Sequence, residues 1–272
     1  MSEYYSFIYD VEELKYFYDN ILPDLNPTEV YFVSLSARKK YLTEEEIVEY
    51  QLGRTEMFCK SLIRKREWDR FLRTIRKFEC HKGGYTTKNG KSIPEKSIVV
   101  YININPSSTL QAIAGFKKVL AEYEVELASM ALLGKRGDIE SLGYRLNKID
   151  NNLYTEYQQS RGKKVWIDID MDIDKGFKIY KDKDFKKFLK EKKINTYYFI
   201  DTKSGYHMLI KKDELKFNPK DIIDRATELY EEWHFEEYGV NVKDFEIIIN
   251  RNEMLCVPGT LQGGYPVIIL NK

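Results

Sequence analysis

The run Val165-Trp166-Ile167-Asp168-Ile169-Asp170 constrains this chain more than any other stretch, because apolar residues ending in two carboxylates one residue apart read as a strand. Side chains at i and i+2 of a strand share a face, so Asp168 and Asp170 point the same way. Carboxylates so placed repel each other unless a cation sits between them, and hard divalent ions such as Mg²⁺ take oxygen ligands of this kind. The chemistry these residues predict is a metal site for phosphate chemistry. A strand running out into an acidic loop is the other reading, since Asp172, Asp174 and Gly176 follow.

Two further features bear on the choice. Tyr197-Tyr198-Phe199-Ile200-Asp201 reads as a second strand, followed by Thr202-Lys203-Ser204-Gly205-Tyr206-His207 and the apolar continuation Met208-Leu209-Ile210. Hydroxyls, a lysine, a glycine and a histidine on a strand-to-strand turn offer donors at close range, with no side chain at the glycine to block the backbone, as a triphosphate requires. Further on, Asp244 supplies a third acid, and Pro258-Gly259-Thr260, a tight turn, begins fourteen positions after it.

Together these residues resemble the archaeo-eukaryotic primase superfamily of DNA primases and primase-polymerases. That family is recognised by a hydrophobic-Asp-hydrophobic-Asp strand, a Ser/Thr-x-x-Gly-x-His turn, and a later Asp preceding a Pro-Gly-Ser/Thr-Leu-His segment. Ile167-Asp168-Ile169-Asp170, Thr202-Lys203-Ser204-Gly205-Tyr206-His207 and Asp244 with Pro258-Gly259-Thr260-Leu261 match these in order and approximate spacing. The resemblance implies that Asp168, Asp170 and Asp244 hold two Mg²⁺ or Mn²⁺ ions. It also implies that His207, with Lys203, Thr202, Ser204 and Gly205 beside it, contacts the nucleotide phosphates. The chain departs from the family at Cys256, where a basic residue is usual, at Gln262, where His is usual, and at Ser204, where some members carry arginine. Triphosphate binding must then rely on Lys203, His207 and basic groups that the motifs do not place.

Composition bounds the rest. A chain of 272 residues with 43% hydrophobic content buries a core of its own, as one large domain or two intimate lobes, and is too short to add a helicase. A net charge of +1 excludes a surface coated in positive charge, so nucleic-acid binding would need a local basic surface. Cys59, Cys80 and Cys256 form no Cys-x-x-Cys pair, so neither a disulfide framework nor a zinc ribbon is indicated, and Cys59 with Cys80-His81 lacks an evident fourth ligand for a metal. No apolar segment nears the roughly 20 residues needed to cross a membrane, and the expected location is the cytoplasm.

The most basic region lies between Lys60 and Lys91, with eleven Lys or Arg against three acids. Residues 67–78 read as a helix with Trp68, Phe71, Leu72 and Ile75 on one face and Arg70, Arg73, Arg76 and Lys77 mostly on the other. A solvated helix face explains such a run. Its continuation through Lys82, Gly83, Gly84, Tyr85 and Lys88 raises a second reading, a template-binding surface in which lysines track a phosphate backbone and the tyrosine stacks a base. Elsewhere a helix is expected over residues 11–22, ending before Pro23, and strands over residues 29–35 and 97–104. A long helix is expected from Thr109, with Ser107 or Ser108 as its cap, then a turn at residues 134–137 and helices over residues 181–193 and 219–235.

The expectation is a mixed α/β protein in which an N-terminal α/β lobe (residues 1–150) packs on a C-terminal lobe (residues 151–272) resembling an RNA-recognition-motif sheet, with the active site in the cleft between. By resemblance it joins ribo- or deoxyribonucleoside triphosphates on a single-stranded DNA template beside a helicase or primer-binding subunit. A member that binds nucleic acid without polymerising, and a metal-dependent nuclease using the same acids, are the rival readings.

Overall fold

Strand β1 (Glu29–Arg38) organises the first half of the molecule, and its alternation sorts its surroundings. The structure, a computed structural model, describes residues 4–64, 66–87, 89–133, 143, 149–242, 244–251 and 253–272. Tyr31, Val33, Leu35 and Ala37 point into the main core, where they join Leu14 and Phe17 of helix α1 (Val11–Asn20) and Phe71 and Ile75 of α3 (Trp68–Arg76). Val30 and Phe32 point the other way and pack with Ala112 of α4 (Thr109–Leu132) and Tyr157 of α5 (Ile149–Gln159). Beyond them on that second face come Ser34, Ser36 and Arg38, which line an open cleft.

Around β1 builds an antiparallel sheet, in the order β11 (Tyr265–Pro266), β10 (Leu261–Gln262), β3 (Ile98–Asn103), β1, β2 (Thr55–Ile63). The short β4 (Ser107–Ser108) pairs with β1, and β9 (Met254–Cys256) pairs with β3. Local signals start the helices where the side chains predict. Asp10 accepts from the Glu12 and Glu13 amides to cap α1, and Thr43 and Glu46 form a reciprocal capping box on α2 (Glu44–Tyr50). Of the two serines expected to cap the long helix, Ser108 does so, accepting from the Gln111 amide.

The second sheet has the chain order β5 (Trp166–Asp172), α6 (Lys183–Glu191), β6 (Tyr197–Asp201), β7 (Tyr206–Lys211), α7 (Lys220–Tyr238), β8 (Glu246–Ile249). Its strands lie β12 (Ile268–Ile269), β6, β7, β5, β8, all neighbours antiparallel, so two interleaved β-α-β crossovers place both helices on one face. Ile167, Ile169 and Met171 of β5 bury that face with Phe185 and Leu189 of α6 and Ile222, Ala226 and Leu229 of α7. The odd and even positions of one strand thus serve two different layers.

The first sheet covers the opposite face at one end. Trp166, Ile200 and Leu209 belong to the same core as β1 and α1, and the Trp166 indole N–H donates to the Ile21 carbonyl at 2.9 Å. Buried Asn105 stitches the seam. Its Oδ1 accepts from the Val165 and Trp166 amides, and its Nδ2 donates to the Trp166 carbonyl. The split expected at residue 150 is not how the sheets divide the chain, because β9, β10 and β11 leave the second half to complete the first sheet before β12 returns to the second. Among the described residues no helix is long and apolar enough to cross a membrane.

Candidate functional site

Where the two sheets part, they leave a cleft of about 1440 Å³. Asp170, Asp172, His207 and Glu246 line it from the second sheet, and Ser34, Ser36, Arg38, Lys39, Lys40 and Arg54 line it from β1, its end and the loop leading to β2. Asp168, Asp170 and Asp172 occupy one face of β5, at increasing distance from the Trp166 seam. Asp168 is buried, whereas Asp170 and Asp172 are partly open to solvent.

Antiparallel register brings His207 directly opposite Asp170. Its Nδ1 lies 2.9 Å from Asp168 Oδ1 and its Nε2 lies 3.6 Å from Asp170 Oδ1, so the imidazole spans the two carboxylates. The other Asp168 oxygen accepts from Asn250 Nδ2 at 2.8 Å. Burial alone would strip the imidazole of its proton, but the charge and hydrogen bond of Asp168, with Asp170 and Asp172 beyond, raise the His207 pKa to about 9. Burial also pushes the Asp170 carboxyl above its usual range; His207 pulls it back, and Asp172 and Asp168 push it further up.

The turn after β6 owes its shape to Gly205. A side chain there would place its Cβ 2.0 Å from the Met171 carbonyl oxygen, so only glycine lets the turn close onto β5. Thr202 is spent on that closure, with both its amide and its hydroxyl donating to the Gly205 carbonyl. Ser204 reaches the cleft, where Lys40 Nζ donates to its hydroxyl at 2.9 Å and lies 3.9 Å from Asp172 Oδ2. Lys203 takes another direction. Its Nζ donates to the Gly263 carbonyl at 3.0 Å and lies over the Tyr41 ring, and its amide donates to Gln262 Oε1.

Asp244 is not gathered with Asp168 and Asp170. It precedes β8 and lines an adjoining hollow with Asp174, Tyr230 and His234, which Asp172, Lys40 and Ser204 also border. The carboxylate that β8 brings to the cleft is Glu246, directly across the strand pair from Asp172. Among the described residues, no three His, Cys, Asp or Glu side chains stand close enough together to hold a metal ion as they are. In donor chemistry Asp170, Asp172 and Glu246, all oxygen ligands on one wall, fit Mg²⁺ or Mn²⁺. Asp168 has both oxygens engaged and acts from behind them.

The expected turn at Pro258-Gly259 forms, with Gly259 at φ +84° packed against the start of α1, where a Cβ would meet the Asp10 oxygen and the Leu14 nitrogen at 2.6 Å. Its role here is to seat the N-terminal segment. Cys256 and Gln262 do face the cleft. Burial raises the Cys256 thiol to about 12, so it stays neutral, and the Gln262 amide donates to the Tyr41 hydroxyl at 2.5 Å.

The basic segment lies elsewhere. Helix α3 packs on the face of β1 opposite the cleft, which puts Arg70, Arg73 and Lys77 behind the sheet. Lys82 pairs with Glu95 at 3.5 Å, and Lys88 lies outside the described residues, as does the turn expected at residues 134–137. What the sequence motifs missed is the cationic wall of Arg38, Lys39, Lys40 and Arg54. The signal for it was present in Val33-Ser34-Leu35-Ser36-Ala37-Arg38, a strand whose alternate positions are polar although the residues between them are apolar. No protein-family model, no curated protein and no solved structure matches this chain.

Proposed function

We propose that the protein is a template-directed nucleotidyltransferase, a DNA primase or primase-polymerase, that joins nucleotides on single-stranded DNA in the cleft between its sheets. The observation that carries this reading is the pairing of walls: the carboxylates and a histidine of the second sheet, with Lys220 and Arg251 at its edge, face four cations from β1, its end and the loop before β2. The β-α-β-β-α-β order of the second sheet, with the acids on its open face, agrees with the RNA-recognition-motif-like lobe that the motif resemblance implies.

Asp170, Asp172 and Glu246 would hold Mg²⁺ or Mn²⁺. Such ions, when bound, activate the 3'-hydroxyl and neutralise the charge that develops on pyrophosphate. The chain's own residues supply the positioning. Asp168, fixed by Asn250, holds the His207 ring and its proton, which keeps a cationic imidazole on the cleft wall where phosphate oxygens would lie. Lys40, bound to Ser204 and close to Asp172, ties the mouth of one wall to the other. Single-stranded DNA and nucleoside triphosphates are the implied partners, with a helicase or primer-binding subunit working beside the core in the cytoplasm.

The test is incubation with single-stranded DNA, Mn²⁺ or Mg²⁺, and labelled NTPs or dNTPs in separate reactions, beside an Asp170→Ala/Glu246→Ala control. New oligonucleotides made only by the unmodified protein establish a primase, and extension of a supplied primer alone establishes a polymerase. Absence of any product with DNA binding intact selects a nucleic-acid-binding protein that does not polymerise. That second reading is favoured by the neutral Cys256 and the internally bonded Gln262 in the cleft.

A further inference from the structure

We infer that the β1 wall of the cleft, built from Ser34, Ser36, Arg38, Lys40 and Arg54, is a polyphosphate site that receives the triphosphate of the incoming nucleotide. The inference rests on the nucleotidyltransferase reading for the identity of its ligand, but the site itself is argued from unpaired donors. On the second face of β1, Val30 and Phe32 are sealed beneath Ala112 and Tyr157, as a sheet face ordinarily is. Two residues further on the face turns polar while staying buried, with Ser34 at 0% and Ser36 at 1% exposure. Among the described residues the Ser34 hydroxyl finds no hydrogen-bond partner, and neither does Arg38 Nε. Buried polar atoms are nearly always paired, and both of these residues line the cleft.

The rest of the wall is held in position by bonds that leave its charges available to the cleft. Arg38 Nη1 donates to the Tyr101 hydroxyl at 2.7 Å, which fixes the plane of the guanidinium. The Lys39 amide donates to the Arg54 carbonyl at 3.3 Å, pinning the end of β1 to the loop that carries Arg54. Across the cleft, Cys256 and Gln262 carry no charge; Lys220 and Arg251 also line it, but the cations that share a wall with the unpaired Ser34 and Arg38 donors come from β1 and its flanks. A nucleoside triphosphate fits better than a DNA backbone because it concentrates several negative charges on contiguous phosphates. These cations are likewise concentrated at one strand end, opposite the carboxylates Asp170, Asp172 and Glu246 that would hold a divalent ion.

Isothermal titration with inorganic tripolyphosphate and with dATP, each in Mg²⁺, tests the site on the full chain, with a thymidine oligonucleotide as competitor. Binding of both ligands by the unmodified protein is expected, weakened about tenfold or more in Arg54→Gln and in Arg38→Gln, as removal of one charge-assisted hydrogen bond implies. Arg54 is exposed, so its variant separates a missing phosphate partner from a failure to fold. Ser34→Ala should leave the free protein at least as thermally stable while shrinking the stabilisation that tripolyphosphate confers, because it deletes an unpaired buried hydroxyl. No binding by the unmodified protein, unchanged affinity in Arg54→Gln and Ser34→Ala, or an oligonucleotide that binds where neither triphosphate does would each overturn the inference. If the variants lose tripolyphosphate binding in a protein that incorporates no nucleotide, the polymerase reading fails and the site stands. Incorporation at an unchanged nucleotide KM in Arg38→Gln and Arg54→Gln is the reverse outcome.

Discussion

Replacing His207 by Ala should cost the metal-free protein about 3 kcal/mol at pH 6, and most of that cost should vanish by pH 10. Two routes lead to the figure. Taking one partner from a buried ion pair costs about 3–5 kcal/mol, because the carboxylate left behind keeps its charge without compensation; here the carboxylate is Asp168, which would retain only the Asn250 bond. Independently, the neighbouring carboxylates lift the His207 pKa from 6.5 to about 9, which at about 1.36 kcal/mol per pH unit is again about 3 kcal/mol. The sign follows from linkage. A folded-state pKa above the unfolded value contributes stability that is fully present below pH 6.5 and is lost as pH rises through about 9. Guanidinium denaturation of wild type and His207→Ala at pH 6, 8 and 10, without divalent ions, gives the difference at each pH, and effects common to both proteins cancel. A midpoint difference that is as large at pH 10 as at pH 6, or that is negligible at pH 6, would refute the idea that a charged imidazole holds these acids together.

Gly205→Ala should destabilise the protein by about 1–3 kcal/mol in the same assay, since the added Cβ meets backbone that cannot yield without opening the turn against β5. Manganese binding followed by electron paramagnetic resonance should weaken by more than about 100-fold in Asp170→Asn and in Glu246→Gln, a larger effect than removal of an outer partner usually brings, and stay near wild type in Asp244→Asn. The triple change Arg70→Ala, Arg73→Ala and Lys77→Ala should leave the salt dependence of oligonucleotide binding unchanged, because α3 lies behind the sheet. Lys39→Ala, outside the proposed triphosphate site but on the cleft, should instead lower that slope by about one.

Much of the second sheet was legible because its signals are local. The period-two pattern around Asp168 and Asp170 fixes which side chains share a face, and the glycine and histidine after β6 mark a turn followed by a strand that must return beside them. The cap of the long helix and the tight turn at Gly259 were readable for the same reason. Where the basic segment lies was not legible, because charge density along a chain does not tell which side of a sheet a helix will cover. The apolar stripe of Phe71 and Ile75 decided that, docking α3 onto the core face of β1 and away from the cleft.

By itself, then, the sequence determined many of the longer elements, the shared face of the two aspartates and the turn that presents His207, all consequences of backbone periodicity and of residues near in the chain. Only the tertiary structure decided what stands across from them. Pairing of β8 with β5 brings Glu246 to the cleft and leaves Asp244 outside, and β9 to β11 cross back to complete the first sheet. The cations that face the carboxylates come from the end of β1, more than 100 residues earlier in the chain. Such juxtapositions depend on strand register and on which apolar face each helix seals, quantities set by burial of the whole core and absent from any local window.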